Sequence, residues 1–117
     1  MRKLTEEDVN CNGVRYSRVP EVNPPREDQI AACLEWLERF GRKTKTVRPR
    51  NHSYYLKHVV ERWVQKTRNT GMTINNGAFI VAAMRAGYQV QCIGGPNTTF
   101  NIASRGVSES EKLYGYG

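Results

Sequence analysis

The sequence predicts an α+β fold with about three helices packed on a C-terminal antiparallel β-hairpin, and with irregular N- and C-terminal arms. Apolar residues first recur at the spacing of an α-helix in three stretches between residues 26 and 87. The spacing then changes to alternation in YQVQCIG and in TTFNIAS, and the turn-forming residues GGPN separate these two runs. This change of period indicates helices followed by a hairpin.

The chain of 117 residues has the length of one domain. We expect an extended N-terminal arm over residues 1–25, a single α+β core domain over residues 26–105 and a flexible tail over residues 106–117. Three prolines interrupt the arm, where weak alternation predicts a short strand around residues 13–19. The tail has no apolar period.

The first helix is predicted within PPREDQIAACLEWLERFGRK. Prolines and acidic residues suit its start, and Gly41 suits its end. Ile30, Cys33, Leu34 and Leu37 fall on one helical face, at positions i, i+3, i+4 and i+7. We therefore expect this helix to pack against the core.

A basic stretch follows, GRKTKTVRPRNH, which holds five cations and no acidic residue. It has no regular apolar period and contains threonine, proline and asparagine, so we predict a loop. The like charges repel one another and no local acid neutralises them, which favours contact with phosphate groups over a solvated linker. The five cations are Arg42, Lys43, Lys45, Arg48 and Arg50.

The second helix is predicted within SYYLKHVVERWVQKTRN, with Ser53 as its N-cap. Its exposed side is strongly positive, and two tyrosines stand at its start. Aromatic and basic residues together are typical of a surface that stacks bases and holds phosphates. Tyrosines at a helix start can instead pack into the core. The predicted contacts from this helix are Tyr54, Lys57, Arg62, Lys66 and Arg68.

The third helix is predicted within NGAFIVAAMRAG and ends at Gly87. Arg85 is its only charged residue, and most of its other side chains are apolar. We therefore expect a central and nearly buried helix. Thr73, or Asn75 and Asn76 after it, can cap the start of this helix.

This order of elements resembles the winged helix-turn-helix module, with the helix-turn-helix at residues 53–87 and the wing at residues 88–104. The resemblance rests on helices followed directly by a hairpin and on the AGYQV step from helix to strand. It implies a DNA-binding protein whose third helix enters the major groove with its N-terminal residues, while the wing contacts the backbone or the minor groove. The implied contacts are Thr73, Asn75 and Asn76 to bases, Arg85 at the flank, and Asn97, Thr98 and Thr99 at the wing tip.

The composition argues against membrane and disulfide-rich classes. No apolar run approaches the roughly 18 residues of a membrane span, and acidic residues occupy positions 6–8, where a signal peptide would be apolar. The three cysteines are far apart and form no metal-binding motif. We therefore expect a cytoplasmic protein that does not associate with membranes.

No catalytic motif is recognised in the sequence. The spacing of His52 and His58 does not place them on one helical face, and Glu61 is the only acid near them. His58 with Glu61 could form an acid–base couple, but a surface ion pair is the simpler interpretation. The glycines of GYQVQCIGGPN match neither a P-loop nor a dinucleotide-binding motif. We expect no enzymatic activity, no cofactor and no metal site.

Positive charge is concentrated in the middle of the chain. The net charge is +7, and residues 42–105 hold eleven Lys/Arg against one acid, a balance of +10. Such a field attracts polyanions. The sequence therefore predicts a small basic nucleic-acid-binding protein, a regulatory or accessory factor of phage or mobile-element type, with DNA favoured over RNA.

The alternative is a small inhibitor or adaptor whose basic face docks on an acidic protein surface, for example that of a host protein that handles nucleic acid. Charge complementarity serves both kinds of partner. The sequence leaves the two open, and it does not determine the oligomeric state.

Overall fold

The computed structural model describes residues 4–15 and 23–115. Within these residues the fold is α+β, with four α-helices and two antiparallel sheets. The helices are α1 (Glu27–Phe40), α2 (Ser53–Arg68), α3 (Asn76–Arg85) and α4 (Ser104–Tyr114). The strands are β1 (Val9–Asn10), β2 (Gly13–Val14), β3 (Lys43–His52), β4 (Val90–Cys92) and β5 (Thr98–Ile102), and a 3₁₀ turn covers Glu6–Asp8.

The core forms where α1 and α3 meet β5. Trp36, Phe79 and Phe100 are fully buried, and their rings contact one another edge to face, with centroids 6.1 Å apart for the first pair and 5.2 Å for the second. Helix α3 is buried over most of its length because its side chains are small or apolar. Among the residues described, none of the helices has the length and apolar character that a membrane crossing requires.

The larger sheet has three strands in the order β3-β5-β4, and this layout contradicts the predicted fold class. The basic stretch is an edge strand rather than a loop, so the sheet is more than one C-terminal hairpin. The ladder is irregular: Lys43 lies opposite Ile102 and His52 opposite Thr99, so ten residues of β3 face four of β5. Bulges of this kind remove the alternation that marks a strand in a sequence.

The C-terminal residues form α4, so the expectation of an irregular C-terminal arm is wrong. One face of this helix, with Gly106, Val107 and Ser110, is buried. Ser110 Oγ accepts a hydrogen bond of 3.0 Å from the indole Nε1 of Trp36. A Cβ on Gly106 would lie 1.8 Å from the carbonyl oxygen of Phe40, so the contact requires glycine. Because most of this buried face is small or polar, the sequence shows no repeat of apolar residues that would predict a helix here.

The N-terminal arm contains a two-stranded sheet, β1 with β2, which packs on the start of α3. Gly77 of α3 lies so close to the turn that a Cβ would come 1.7 Å from the carbonyl oxygen of Asn10. The short strand predicted around residues 13–19 is present at Gly13–Val14. Residues 16–19 of that prediction lie outside the described residues.

Candidate functional site

Two cations predicted to contact a partner from α2 instead hold α4 in place. The guanidinium of Arg62 forms an ion pair with Glu111, with a distance of 3.1 Å from Nε to Oε2. Lys66 Nζ donates a hydrogen bond of 2.5 Å to the carbonyl oxygen of Gly115. These side chains tie the C-terminal helix to the core. Glu111 neutralises the charge of Arg62, whereas Lys66 donates to an uncharged carbonyl.

Two further predicted contacts, Arg68 and Arg85, are also neutralised by carboxylates. Arg68 pairs with Glu35 of α1. Arg85 Nη2 lies 3.0 Å from Glu6 Oε1, and its Nη1 lies 2.9 Å from Glu27 Oε2. Hydrogen bonds from these two carboxylates raise the pKa of Arg85 above its ordinary value, and the bond to Arg85 lowers the pKa of Glu27. Arg85 therefore joins α3, α1 and the N-terminal turn.

The cations of the basic stretch are not neutralised in this way. All five are exposed, and no ion pair joins any of them to another described residue. Arg42 Nη1 donates to the adjacent carbonyl of Gly41 at 2.8 Å, and Lys43 Nζ lies 5.2 Å from the centroid of the Tyr88 ring. We call this set the basic edge: Arg42, Lys43, Lys45, Arg48 and Arg50.

Three members of the basic edge are available to a partner. The side chains of Lys45, Arg48 and Arg50 make no hydrogen bond, ion pair or ring contact with any other described residue. They lie on β3, which pairs with β5 on one side and is the outer strand on the other. The fold therefore presents these charges along one edge of the sheet.

The first turn of α2 places aromatic rings at the surface next to this edge. The side chain of Tyr54 is 53% exposed and that of Tyr55 is 37% exposed, so the core interpretation of these tyrosines does not apply. Lys57 Nζ lies 5.1 Å from the centroid of the Tyr54 ring, and the His58 ring contacts it edge to face at 4.9 Å. Partial burial, followed by the charge of Glu111, raises the pKa of Tyr55. Tyr54 is the more accessible stacking surface.

The predicted contacts at the start of α3 differ in their exposure. Asn76 is 7% exposed, and its Nδ2 donates to the carbonyls of Asn12 and Pro96, at 3.1 and 3.2 Å, and to Asn97 Oδ1 at 2.9 Å. It therefore joins two turns instead of projecting outward. Asn75 is partly exposed and is the N-cap residue of α3, although its side chain makes no capping hydrogen bond.

A cleft opens where α2, α3 and the two turns meet. Tyr54 and Lys57 contribute from the first turn of α2, and the remaining side chains come from the β1–β2 turn, the start of α3 and the β4–β5 turn. We call it the asparagine cleft. Its other lining residues are Cys11, Asn12, Asn75, Asn76, Pro96 and Asn97. Sequence reasoning missed Cys11 and Asn12, because only the fold brings the N-terminal turn to α3.

The fold shows no feature specific to a winged helix-turn-helix module. Thr98 and Thr99, placed at the wing tip by the resemblance, are 0% and 4% exposed because β5 is the central strand of the sheet. The first turn of α3 is covered by the β1–β2 turn at Gly77. A duplex could not reach the backbone at that point without moving the turn.

The acid–base candidates from the sequence have structural roles. Glu61 Oε2 accepts a hydrogen bond of 2.8 Å from the backbone N–H of Ile74, and its Oε1 lies 3.7 Å from His58 Nδ1. Burial raises the pKa of the Cys33 thiol. Within residues 4–15 and 23–115, no three His, Cys, Asp or Glu side chains are grouped so that they could hold a metal ion.

Comparisons of the chain with protein-family models, with curated proteins and with solved structures found no match. Its function must therefore be inferred from the arrangement of its own side chains.

Proposed function

We propose that the protein binds nucleic acid, with the basic edge contacting phosphates and the start of α2 extending the surface. One observation carries this proposal. The fold provides carboxylates for Arg62, Arg68 and Arg85, whereas Lys45, Arg48 and Arg50 are exposed and have no partner among the described residues.

The chemistry of these side chains suits a phosphate backbone. Arginine can form two parallel hydrogen bonds to a phosphate, and lysine provides a mobile point charge. Such contacts need no particular base and fix the position of the nucleic acid. Because Lys43 lies opposite Ile102 and Arg48 opposite Phe100, β3 advances along the sheet by only two residues of β5, about 7 Å, between these two cations. The cations are therefore clustered, which suits contact with neighbouring phosphates of one strand.

The electrostatic setting favours binding. Like charges within one short segment repel one another, and a polyanion that neutralises them releases its condensed counterions. The protein should therefore bind more tightly at low salt than at high salt. DNA and RNA both offer the phosphate chemistry, and we favour DNA as the partner.

The test is fluorescence anisotropy with labelled single-stranded and duplex DNA and RNA over a salt series. We expect log affinity to fall linearly and steeply with log salt concentration. Absence of binding at low salt would refute the proposal, and so would an affinity that does not change with salt.

A second candidate is a protein-binding module that docks on an acidic protein surface. The position of β3 favours it, because the outer side of an edge strand can pair with a strand of another protein while its cations meet acidic side chains. A pull-down from nuclease-treated lysate separates the two candidates. A partner that survives nuclease treatment and is lost on substitution of Lys45 and Arg48 would support the protein-binding module.

A further inference from the structure

The Tyr54 ring lines the asparagine cleft and belongs to α2, the helix that directly follows the basic edge in the chain. Tyr54 is the residue of the cleft with an exposed aromatic ring, and Lys57 places a cation 5.1 Å from its centroid. Base–aromatic stacking accepts any base, because every base has a flat π face. The ring, the cation and the cleft therefore form a surface suited to one unstacked nucleotide.

Two asparagines of the cleft have hydrogen-bonding groups that the fold does not use. Asn76 Oδ1 is buried and has no hydrogen-bond partner among the described residues, although Asn76 Nδ2 makes three hydrogen bonds. The side chain of Asn75 does not cap α3, and it makes no hydrogen bond with another described residue. Buried polar groups are normally paired, so the unpaired Asn76 Oδ1 marks an unusually polar wall of the cleft, and the partly exposed carboxamide of Asn75 is the group that a ligand can reach.

Asparagine side chains match the edges of nucleobases. A carboxamide has one acceptor and two donors, and the Watson–Crick edges of the bases present the complementary groups. Such edges are accessible only when the base is unpaired, because in a duplex they are already hydrogen bonded. The cleft therefore suits single-stranded nucleic acid and not a duplex.

We infer that the asparagine cleft holds one unpaired base of a single strand, with the base stacked on Tyr54 and its edge hydrogen bonded by Asn75, whose side chain is partly exposed and makes no hydrogen bond with another described residue. This inference rests on the proposed function, since the basic edge supplies the contacts to the neighbouring phosphates. It adds a strand preference that phosphate contacts alone do not give: the protein prefers single-stranded nucleic acid to a duplex of the same sequence.

The first test compares Tyr54→Ala with Tyr54→Phe, which keeps the ring. The probes are a labelled single-stranded 12-mer and a duplex of the same sequence, measured by anisotropy. We expect Tyr54→Ala to weaken binding of the single strand by about tenfold and Tyr54→Phe to weaken it by less than about twofold. Tyr54→Ala should therefore lower the ratio of single-strand affinity to duplex affinity about fivefold or more, because paired bases do not stack on the ring. Because Tyr54 is exposed, both variants should fold, which circular dichroism checks.

The second test uses the two accessible cysteines. Cys11 lines the cleft and is partly exposed, whereas Cys92 is exposed on β4, at the other edge of the sheet from β3. We expect a saturating single-stranded 12-mer to slow alkylation of Cys11 by iodoacetamide about fivefold or more, relative to Cys92 in the same sample, as measured by mass spectrometry.

The outcomes separate the inference from the proposed function. A fall in the ratio of single-strand to duplex affinity that is confined to Tyr54→Ala, together with protection of Cys11, supports the inference. If Tyr54→Ala binds the single strand as well as the wild type does, or if Cys11 is not protected, the inference fails, although salt-dependent binding through the basic edge would still stand. If the wild type binds no nucleic acid, both proposals fail.

Discussion

Removing two unpaired charges of the basic edge should weaken nucleic-acid binding without weakening the fold. The variant is Lys45→Gln with Arg48→Gln. Both side chains are exposed and make no hydrogen bond, ion pair or ring contact with another described residue. Surface changes of this kind usually alter the free energy of unfolding by no more than about 0.5 kcal/mol. Any large change in binding would then come from the lost contacts with the ligand.

The magnitude follows from counterion release. Each phosphate contact contributes about 0.9 to the slope of log affinity against log salt for a duplex, and about 0.7 for a single strand. Two lost contacts should therefore reduce the slope by about 1.8 for a duplex and about 1.4 for a single strand. Over a fourfold rise in salt concentration, this difference corresponds to roughly tenfold in duplex affinity.

A matched control separates the basic edge from the total charge. Arg39→Gln with Lys112→Gln also lowers the net charge from +7 to +5, and it changes exposed residues of α1 and α4. Anisotropy titrations at five salt concentrations give the slopes of both variants and of the wild type. Equal reductions in the two variants would show that binding follows net charge, and the assignment of the site to β3 would be wrong.

Three further predictions concern the fold. The hydrogen bond from Arg85 lowers the pKa of Glu27, so this pair stabilises the folded protein above the ordinary glutamate pKa of about 4.3, and the stabilisation is lost as the pH falls further. Glu27→Gln should therefore show a smaller fall in melting temperature between pH 6 and pH 3 than the wild type. An equal fall in both proteins would contradict this. Ser110→Ala removes the acceptor for the buried Nε1 of Trp36 and should cost about 1–3 kcal/mol in urea denaturation. Gly77→Ala would force a Cβ against the β1–β2 turn and should lower the free energy of unfolding by about 1–3 kcal/mol. The control Gly71→Ala, where no atom lies within 4 Å of the added Cβ, should leave this free energy unchanged.

The helical part of the fold was accessible from the sequence because its signals are local. Helix α1 buries Ile30, Cys33 and Leu37, which recur at helical spacing, and α3 is buried because its residues are small or apolar. Strand β3 was not accessible, since its bulges remove alternation and its charges resemble those of a loop. Helix α4 was not predicted because its buried face consists of Gly106, Val107 and Ser110, which do not form a repeat of apolar residues at helical spacing.

The sequence predicts which residue types the candidate site contains, but not how they are arranged or paired. Sequence identifies the cations, but it does not show which of them are paired, because the partners are distant along the chain: Arg62 lies 49 residues from Glu111 and Arg85 lies 79 residues from Glu6. The asparagine cleft depends in the same way on the packing of α2 and α3 against the β1–β2 and β4–β5 turns. Long-range topology therefore decides which charges remain available to a ligand.

The charges of β3 could also serve a purpose within the fold, since proteins protect edge strands from unwanted pairing with lysines, prolines and bulges. Pro49 lies within this strand, and two register shifts already interrupt its pairing with β5. Edge protection therefore does not require five cations on one short segment, and we expect Lys45→Gln with Arg48→Gln to keep the oligomeric state of the wild type in sedimentation velocity while it loses affinity for nucleic acid. Self-association of this variant with unchanged binding would show that the charges protect the edge. None of the described cations of β3 forms an ion pair with another described residue, in a fold that supplies carboxylates for Arg62, Arg68 and Arg85, and this contrast favours the first outcome.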